Sequence, residues 1–206
     1  MRKPLFIYGA GGLGREVLAL VRRLEEWEPK GFFDDGVRKS TIIKGIPVIG
    51  GMEEIKRMDS IDIVIAIGSP FLKQGIAAKM DGKVRFPFLI DPKATVLDPG
   101  SVHISAGSII CSGAVLTTDI FVGMHVLVNL NATVGHDTNI GSFSSIMPGV
   151  NIAGEVKIGE GVLLGSGCNI MNRSSVGRNA QVGMGAVVLK NVGEGETVVG
   201  IPAKAK

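Results

Sequence analysis

Three histidines, His103, His125 and His136, are the only imidazoles in the chain, and His136 is followed directly by a carboxylate, Asp137. An imidazole can accept a proton near neutral pH, and a neighbouring carboxylate can orient the ring or favour the imidazolium formed during a reaction. His136 is therefore the candidate general base and Asp137 its support. Successive side chains in a regular strand face apart, so Asp137 can serve His136 only where the chain bends. His103 and His125 read as lateral surface or interface residues. Cys111 and Cys168 read as reduced structural thiols, and no serine sits in a nucleophile elbow.

A second chemical signal lies near the start. The apolar run Leu5 to Tyr8 leads into Gly9-Ala-Gly11-Gly12-Leu-Gly14, and a helix follows whose face carries Leu13, Val17, Leu20, Val21 and Leu24, with Pro29 beyond its end. Glycines there let the backbone approach a ligand, and a helix N-terminus offers unpaired N–H groups to an anion. A second strand, residues 31–33, ends in Asp34-Asp35, and a third, Ile61 to Ile67, closes on Gly68-Ser69-Pro70. Helical segments are expected at 52–58 and 71–80, and Arg85 to Ile90 reads as one more strand of a small parallel α/β sheet. Residues 1–91 are too few for a complete dinucleotide fold, so the loop reads as a site for one nucleotide or its diphosphate. The plain alternative is a turn needed only for helix–sheet packing.

What positions His136 is a repeat. From Ile104 to Val188 every sixth residue is aliphatic, a small or β-branched residue lies two before each, and glycine often follows, as at Gly135, Gly141, Gly159 and Gly165. A period of six suits neither helix nor plain strand, but it suits a solenoid in which three hexads close one triangular coil. Fifteen hexads give about five coils, on the order of 24 Å at the usual strand spacing. Residues 92–206 are thus expected to form a β-helix and its tail, with the front domain covering one end of the prism.

Composition narrows the function classes. The chain has 206 residues, a formal net charge of +3, and most of its 22 Lys and Arg in the front part. No basic stripe with interleaved aromatics is present, which argues against nucleic-acid binding. No apolar stretch is long enough for a membrane span, and Met1-Arg2-Lys3 leads into a strand rather than a signal-peptide core, which points to the cytoplasm. Between residues 99 and 154 the only Asp, Glu, Lys or Arg residues are Asp119 and Asp137, a paucity that suits prism faces buried against partner subunits. The histidines are spaced by 22 and 11 residues, which does not stack them on one coil as a metal site would require; no metal is expected.

The glycine-rich start, Phe33-Asp34-Asp35, the Asn129 to Asp137 stretch, the Gly154-Glu-Val-Lys-Ile-Gly159 hexad and the closing Val199-Gly-Ile201-Pro202-Ala-Lys204 together resemble the bacterial hexapeptide-repeat sugar acyltransferases of the PglD and NeuD type. The resemblance spans essentially the whole chain. It implies a left-handed β-helix behind a Rossmann-like domain, a homotrimer, acetyl-CoA as co-substrate, and N-acetylation of a nucleotide-linked amino sugar for surface glycan synthesis. His136, Asp137 and Asn129 match the family's catalytic positions. Gly9, Gly11, Gly12, Asp34, Asp35 and Ser69 match its acceptor site; Ser145, Gly154, Gly165, Ile201, Pro202 and Lys204 match its cofactor contacts, with the Gly154 N–H near the thioester carbonyl. Members acting on amino sugars can carry a second histidine where this chain has Ser145. Sialic acid O-acetylation and a non-catalytic nucleotide-sugar-binding trimer are the alternative functions.

Overall fold

The computed structural model describes residues 1–80, 82 and 84–206. In the front domain β1 (Lys3–Tyr8) passes through the glycine turn into α1 (Gly12–Val21), which buries Val17, Leu18, Leu20 and Val21. Then come β2 (Trp27–Phe33), β3 (Ile42–Ile43), β4 (Ile46–Gly50), α2 (Met52–Lys56), β5 (Ile61–Ile65), α3 (Pro70–Ala77) and β6 (Val84–Arg85). The sheet order is β3-β4-β2-β1-β5-β6, parallel throughout except for the β3–β4 hairpin. β1, β2 and β5 lie side by side, so the glycine turn, Asp34-Asp35 and Gly68-Ser69 all emerge at one carboxyl edge, where open α/β sheets take their ligands.

Two expectations about the front domain need correction, and one of its elements was missed. Pro29 does not follow a helix terminus; it lies inside β2, opposite Leu5, where the register shifts. A proline has no N–H for the ladder, and the bulge beside it absorbs the break. The β3–β4 hairpin was not foreseen at all. Finally, Arg85 to Ile90 is not one strand: Val84–Arg85 pairs with β5, whereas Leu89–Ile90 pairs with Ile109–Ile110 and opens the solenoid.

The solenoid is a three-faced parallel prism. Face 1 runs from Leu89–Ile90 through Leu127–Val128 and Ser145–Ile146 to Thr197–Val199; face 2 from Thr95–Val96 through Thr133–Val134 to Val187–Val188; face 3 from Val102–Ile104 through Asn139–Ile140 to Ser175–Val176. Between Ile104 and Val182, strands along each face pair at an offset of eighteen residues, one coil, as in Thr133↔Asn151. Ile90 and Val96 belong to the prism as well, but eight residues separate Val96 from Ile104, which hides the first coil from a search for hexads. The inward aliphatics from Ile110 to Val188 are all buried in one continuous core.

Each corner turns through a left-handed residue three after the inward aliphatic, glycine at 107, 113, 149, 161, 167 and 185 but Asp119, His125, Asn131, Asp137, Phe143, Glu155, Arg173 and Asn179 elsewhere. The glycines one residue after the aliphatic serve another need. A Cβ on Gly135 would lie 2.7 Å from the Ala153 carbonyl carbon of the next coil.

The front domain does not cap the prism end as expected. It lies along face 1, where the outward side chains Leu89, Ile109 and Leu127, with Cys111, share a core with Val17, Leu20 and Val21 of α1. Each fully buried aliphatic there is worth about 1.5–3 kcal/mol. The tail does close the far end: Thr197–Val199 adds to Gln181–Val182, and Lys204–Ala205 folds back antiparallel on it.

Candidate active site

His136 and Asp137 occupy the corner between faces 2 and 3, both exposed. Asp137 adopts φ +57°, and this left-handed turn bends the chain enough for neighbouring side chains to meet. His136 Nδ1 lies 2.7 Å from Asp137 Oδ2. The carboxylate fixes the ring through Nδ1 and leaves Nε2 as the nitrogen free to take a proton.

One coil on, Gly154 lies beneath the imidazole. A Cβ there would come within 2.6 Å of His136 Cε1, so glycine is what permits the ring its position. The backbone closes around the pair through Glu155 N–H, which donates to the His136 carbonyl at 2.7 Å, while the Gly154 N–H has no hydrogen-bond partner among the described residues. Beside Asp137 opens a groove of about 620 Å³ lined by Glu155, Lys157, Arg173, Ser174, Ser175 and Asn191. Arg173 Nε donates to Glu155 at 3.0 Å, and Lys157, which has no acidic partner among the described residues, is the cation left to meet a phosphate-bearing ligand. Lys157 and Arg173 were not singled out from the sequence, because single charges in a solenoid usually mark a solvated face.

At the front domain's carboxyl edge the glycines divide by role. Gly9 has φ +103° and a Cβ there would lie 2.9 Å from the Ala66 carbonyl oxygen, while one on Gly14 would strike the Gly9 carbonyl. Those two serve packing. A Cβ on Gly11 or Gly12 would meet nothing within 4 Å, and Gly11 precedes α1 as its N-cap with no side-chain cap and no acid in the first turn. Open space in front of uncapped N–H groups is what an anion needs.

The two acids beside this loop are tied into the fold. Asp34 accepts from Ala10 N–H and Gly36 N–H, each at 2.8 Å. Asp35 accepts from the Tyr8 hydroxyl at 2.6 Å and Met52 N–H at 2.8 Å. These bonds hold the Asp35 carboxyl below its usual range, with the Tyr8 contact first, while burial and the two acids push the Tyr8 hydroxyl up. Ser69 caps α3 by accepting from Leu72 N–H.

Other expected site residues lie apart. Asn129 is buried at the corner between faces 1 and 2, its Oδ1 taking Leu130 N–H at 2.7 Å; strand Thr133–Val134 separates it from His136. Gly165 packs against the next coil, where a Cβ would lie 2.6 Å from Met184 N. Ile201, Pro202 and Lys204 are exposed on the tail. Ser145 is fully buried under α3, where Lys73 Nζ donates to its hydroxyl at 3.1 Å.

Of the other histidines, His103 is exposed and stacks on Phe121 as a surface residue. His125 departs from expectation. It is 3% exposed, stacked on Phe143 and edge-on to Phe86, with Nδ1 unpartnered among the described residues. Its corner is covered by the segment after β6, which closes over the ring. Burial, then the nearby Lys73, pushes its pKa down to about 4.

Residues 4–80 match the PglD N-terminal domain, and residues 137–172 the bacterial transferase hexapeptide family of six repeats. The acetyltransferase domain of PglB from Neisseria gonorrhoeae FA1090 is 33% identical over 100% of both chains, with a TM-score of 0.93. The chain belongs to the PglD-type hexapeptide-repeat acetyltransferases.

The same Neisseria domain, solved in complex with acetyl coenzyme A, aligns at a TM-score of 0.90 and 32% identity, covering 100% of each chain. PerB from Caulobacter crescentus, in complex with CoA and GDP-perosamine, aligns at 0.90 with 26% identity over 98% of this chain and 97% of its own. This acetyltransferase keeps both cysteines out of chemistry. Burial pushes the thiols of Cys111 and Cys168 up to about 12. Among the described residues no three His, Cys, Asp or Glu gather as a metal site, and no helix is long and apolar enough to cross a membrane.

Proposed function

We propose that this acetyltransferase transfers the acetyl group of acetyl-CoA to the amine of a nucleotide-linked amino sugar, with His136 as general base. The observation that carries the reading is the His136–Asp137 pair set over Gly154 beside the groove. The amine attacks the thioester carbonyl, forming the C–N bond. His136 Nε2 takes the proton released by the nitrogen, the Gly154 N–H donates to the oxyanion, and the C–S bond breaks. The proton then passes from His136 to the departing thiolate. A base of this kind contributes about 10²–10⁴ in rate, and an N–H aimed at developing charge adds to it where water is excluded.

The acceptor's diphosphate lies at Gly11 and Gly12 before α1, with Asp34, Asp35 and Ser69 lining its edge, and the CoA phosphates lie toward Lys157 and Arg173. Ile201, Pro202 and Lys204, exposed on the tail, extend the cofactor surface, while buried Asn129 and Gly165 shape the corners and coils behind it. These two sites are far apart within one chain, because the front domain sits on face 1 and His136 on the edge opposite that face. The amine reaches the base only when one copy's front domain faces another copy's catalytic edge, which a cytoplasmic homotrimer provides. Exposed Phe121, Met124 and Leu130 in the charge-poor stretch supply an apolar contact surface for it.

The test is a mass spectrum of a panel of nucleotide-linked amino sugars and their hydroxyl analogues after incubation with protein and acetyl-CoA. One acetyl gained by an amine-bearing member is expected; acetylation of hydroxyl analogues alone, or of none, rejects the proposal.

A further inference from the structure

Lys73 is 1% exposed, yet it faces no carboxylate at ion-pair distance among the described residues. Its Nζ donates to the Ser144 carbonyl at 3.3 Å and the Ser145 hydroxyl at 3.1 Å, both on the prism, from the front domain's α3. The titratable group it acts on is buried His125, and the carboxylate met by the next residue, Gln74, is Glu160, whose Oε1 is also taken by Arg178. An ammonium buried on neutral acceptors is costly, and burial pushes its pKa down to about 7. Replacing such a group by an apolar isostere often leaves a protein equally or more stable, so stability alone does not account for it.

The surroundings point to a positional role. The outward column of face 1 reads Leu89, Ile109, Leu127, Ser145, Leu163, Gln181 and Thr197, and within its stretch from Leu89 to Leu163 the Ser145 hydroxyl is the one polar side chain. Aliphatic contact is indifferent to small slides, whereas a buried polar pair is satisfied at one register only. Ile76 and Ala77 hold α3 on the front-domain core, whereas its hydrogen bonds to the prism come from buried Lys73 and from Gln74, which donates to Glu160 at 3.1 Å; these two set where the helix meets face 1. The N-terminus of α3, with Ser69, belongs to the carboxyl edge proposed above for the acceptor.

We propose that Lys73 is a positioning residue for acetyl transfer: by engaging Ser145 it keys the front domain to one register on the prism and so fixes where the acceptor amine is delivered. This rests on the transfer reading above. The lysine touches neither substrate. It acts through the placement of α3, and a displacement of about 1 Å at a reacting centre can cost 10²-fold in rate.

The experiment compares Lys73→Met, Lys73→Arg, Ser145→Ala and the Lys73→Met/Ser145→Ala double variant. Four quantities are read: kcat, the KM for acetyl-CoA, calorimetric affinity for a nucleoside diphosphate, and hydrogen–deuterium exchange of the α3 amides. Lys73→Met is expected to lower kcat about 10- to 100-fold while melting no earlier than wild type and keeping both affinities. Faster exchange should be confined to α3 and the face-1 strands beneath it. Lys73→Arg should restore part of kcat, and the double variant should be no worse than Lys73→Met alone, as for one shared interaction. Wild-type kcat in Lys73→Met overturns the proposal, as does a loss that follows melting temperature without rescue by arginine. Unchanged α3 exchange overturns it whatever the activity. A wild-type protein that acetylates no amino sugar while its α3 exchange responds to Lys73→Met would instead reject the transfer reading.

Discussion

Gly154 lies eighteen residues beyond His136, and the Cβ it lacks is the space that the imidazole fills. Gly154→Ala should therefore leave the prism folded while tilting the ring away from Asp137. We expect kcat to fall about tenfold or more, up to the 10²–10⁴ that a general base contributes in full, with acetyl-CoA affinity little changed. Wild-type kcat in a crystallographically confirmed Gly154→Ala protein would show that the ring position is not needed.

His136→Ala should reduce turnover by about two to four powers of ten without lowering the melting temperature, since the side chain is exposed at a corner. Asp137→Ala should fall between the two, losing orientation but not the base. Val134→Ala, two residues earlier and fully buried, should do the reverse: a loss of roughly 1–3 kcal/mol through lost burial and a void. Denaturant midpoints and single-turnover rates on the three variants separate the effects. If chemistry is rate-limiting and His136→Ala keeps more than a tenth of it, the base is another group.

The glycine loop makes a paired prediction. Gly11 faces open space, so Gly11→Leu should fold normally, weaken nucleotide-sugar binding and leave acetyl-CoA binding intact. Gly14→Ala would drive a Cβ into the Gly9 carbonyl and should destabilise the front domain. Calorimetry of each ligand and thermal melts decide between them; loss of both ligands in a well-folded Gly11→Leu would contradict the separate-site arrangement.

His125 sets an acid limit. Its pKa is held down to about 4, by burial first and Lys73 second, against 6.5 when free. Between those values the unfolded chain binds the extra proton, so the contribution is complete above pH 6.5 and lost as pH falls toward 4. Urea midpoints should drop across that window. His125→Phe should flatten the drop, since Phe143 holds the equivalent left-handed corner one coil on. An unchanged pH profile in the variant would mean that other groups govern acid unfolding.

The prism was legible because its constraint is periodic: one aliphatic every six residues repeats often enough to outweigh any local ambiguity. The His136–Asp137 pair was visible as residue types, but not as a contact, since only the left-handed φ of Asp137 brings them together. His125 misled because its burial comes from Phe86, a residue in another domain, and Lys73 went unnoticed because helical spacing marks lysine as a solvent-facing residue. The β3–β4 hairpin turns through Lys44 and Gly45, both at positive φ, without the Asn-Gly signal, and its first strand is two residues long. Tertiary packing decided each of these places.

The eighteen-residue pairing along the faces also makes the molecule countable. Loss of one residue between Ile104 and His136 would rotate every later inward position to an outward one and carry the dyad off its edge. Removal of residues 163–180 would join Val162 to Gln181, which already occupies the same place on face 1 as Leu163. Such a prism would be one storey shorter, with His136, Gly154 and the Lys73 latch all left upstream of the cut. Insertions and deletions in this chain are thus tolerated in units of a storey, and the catalytic edge behaves as a fixed address within them.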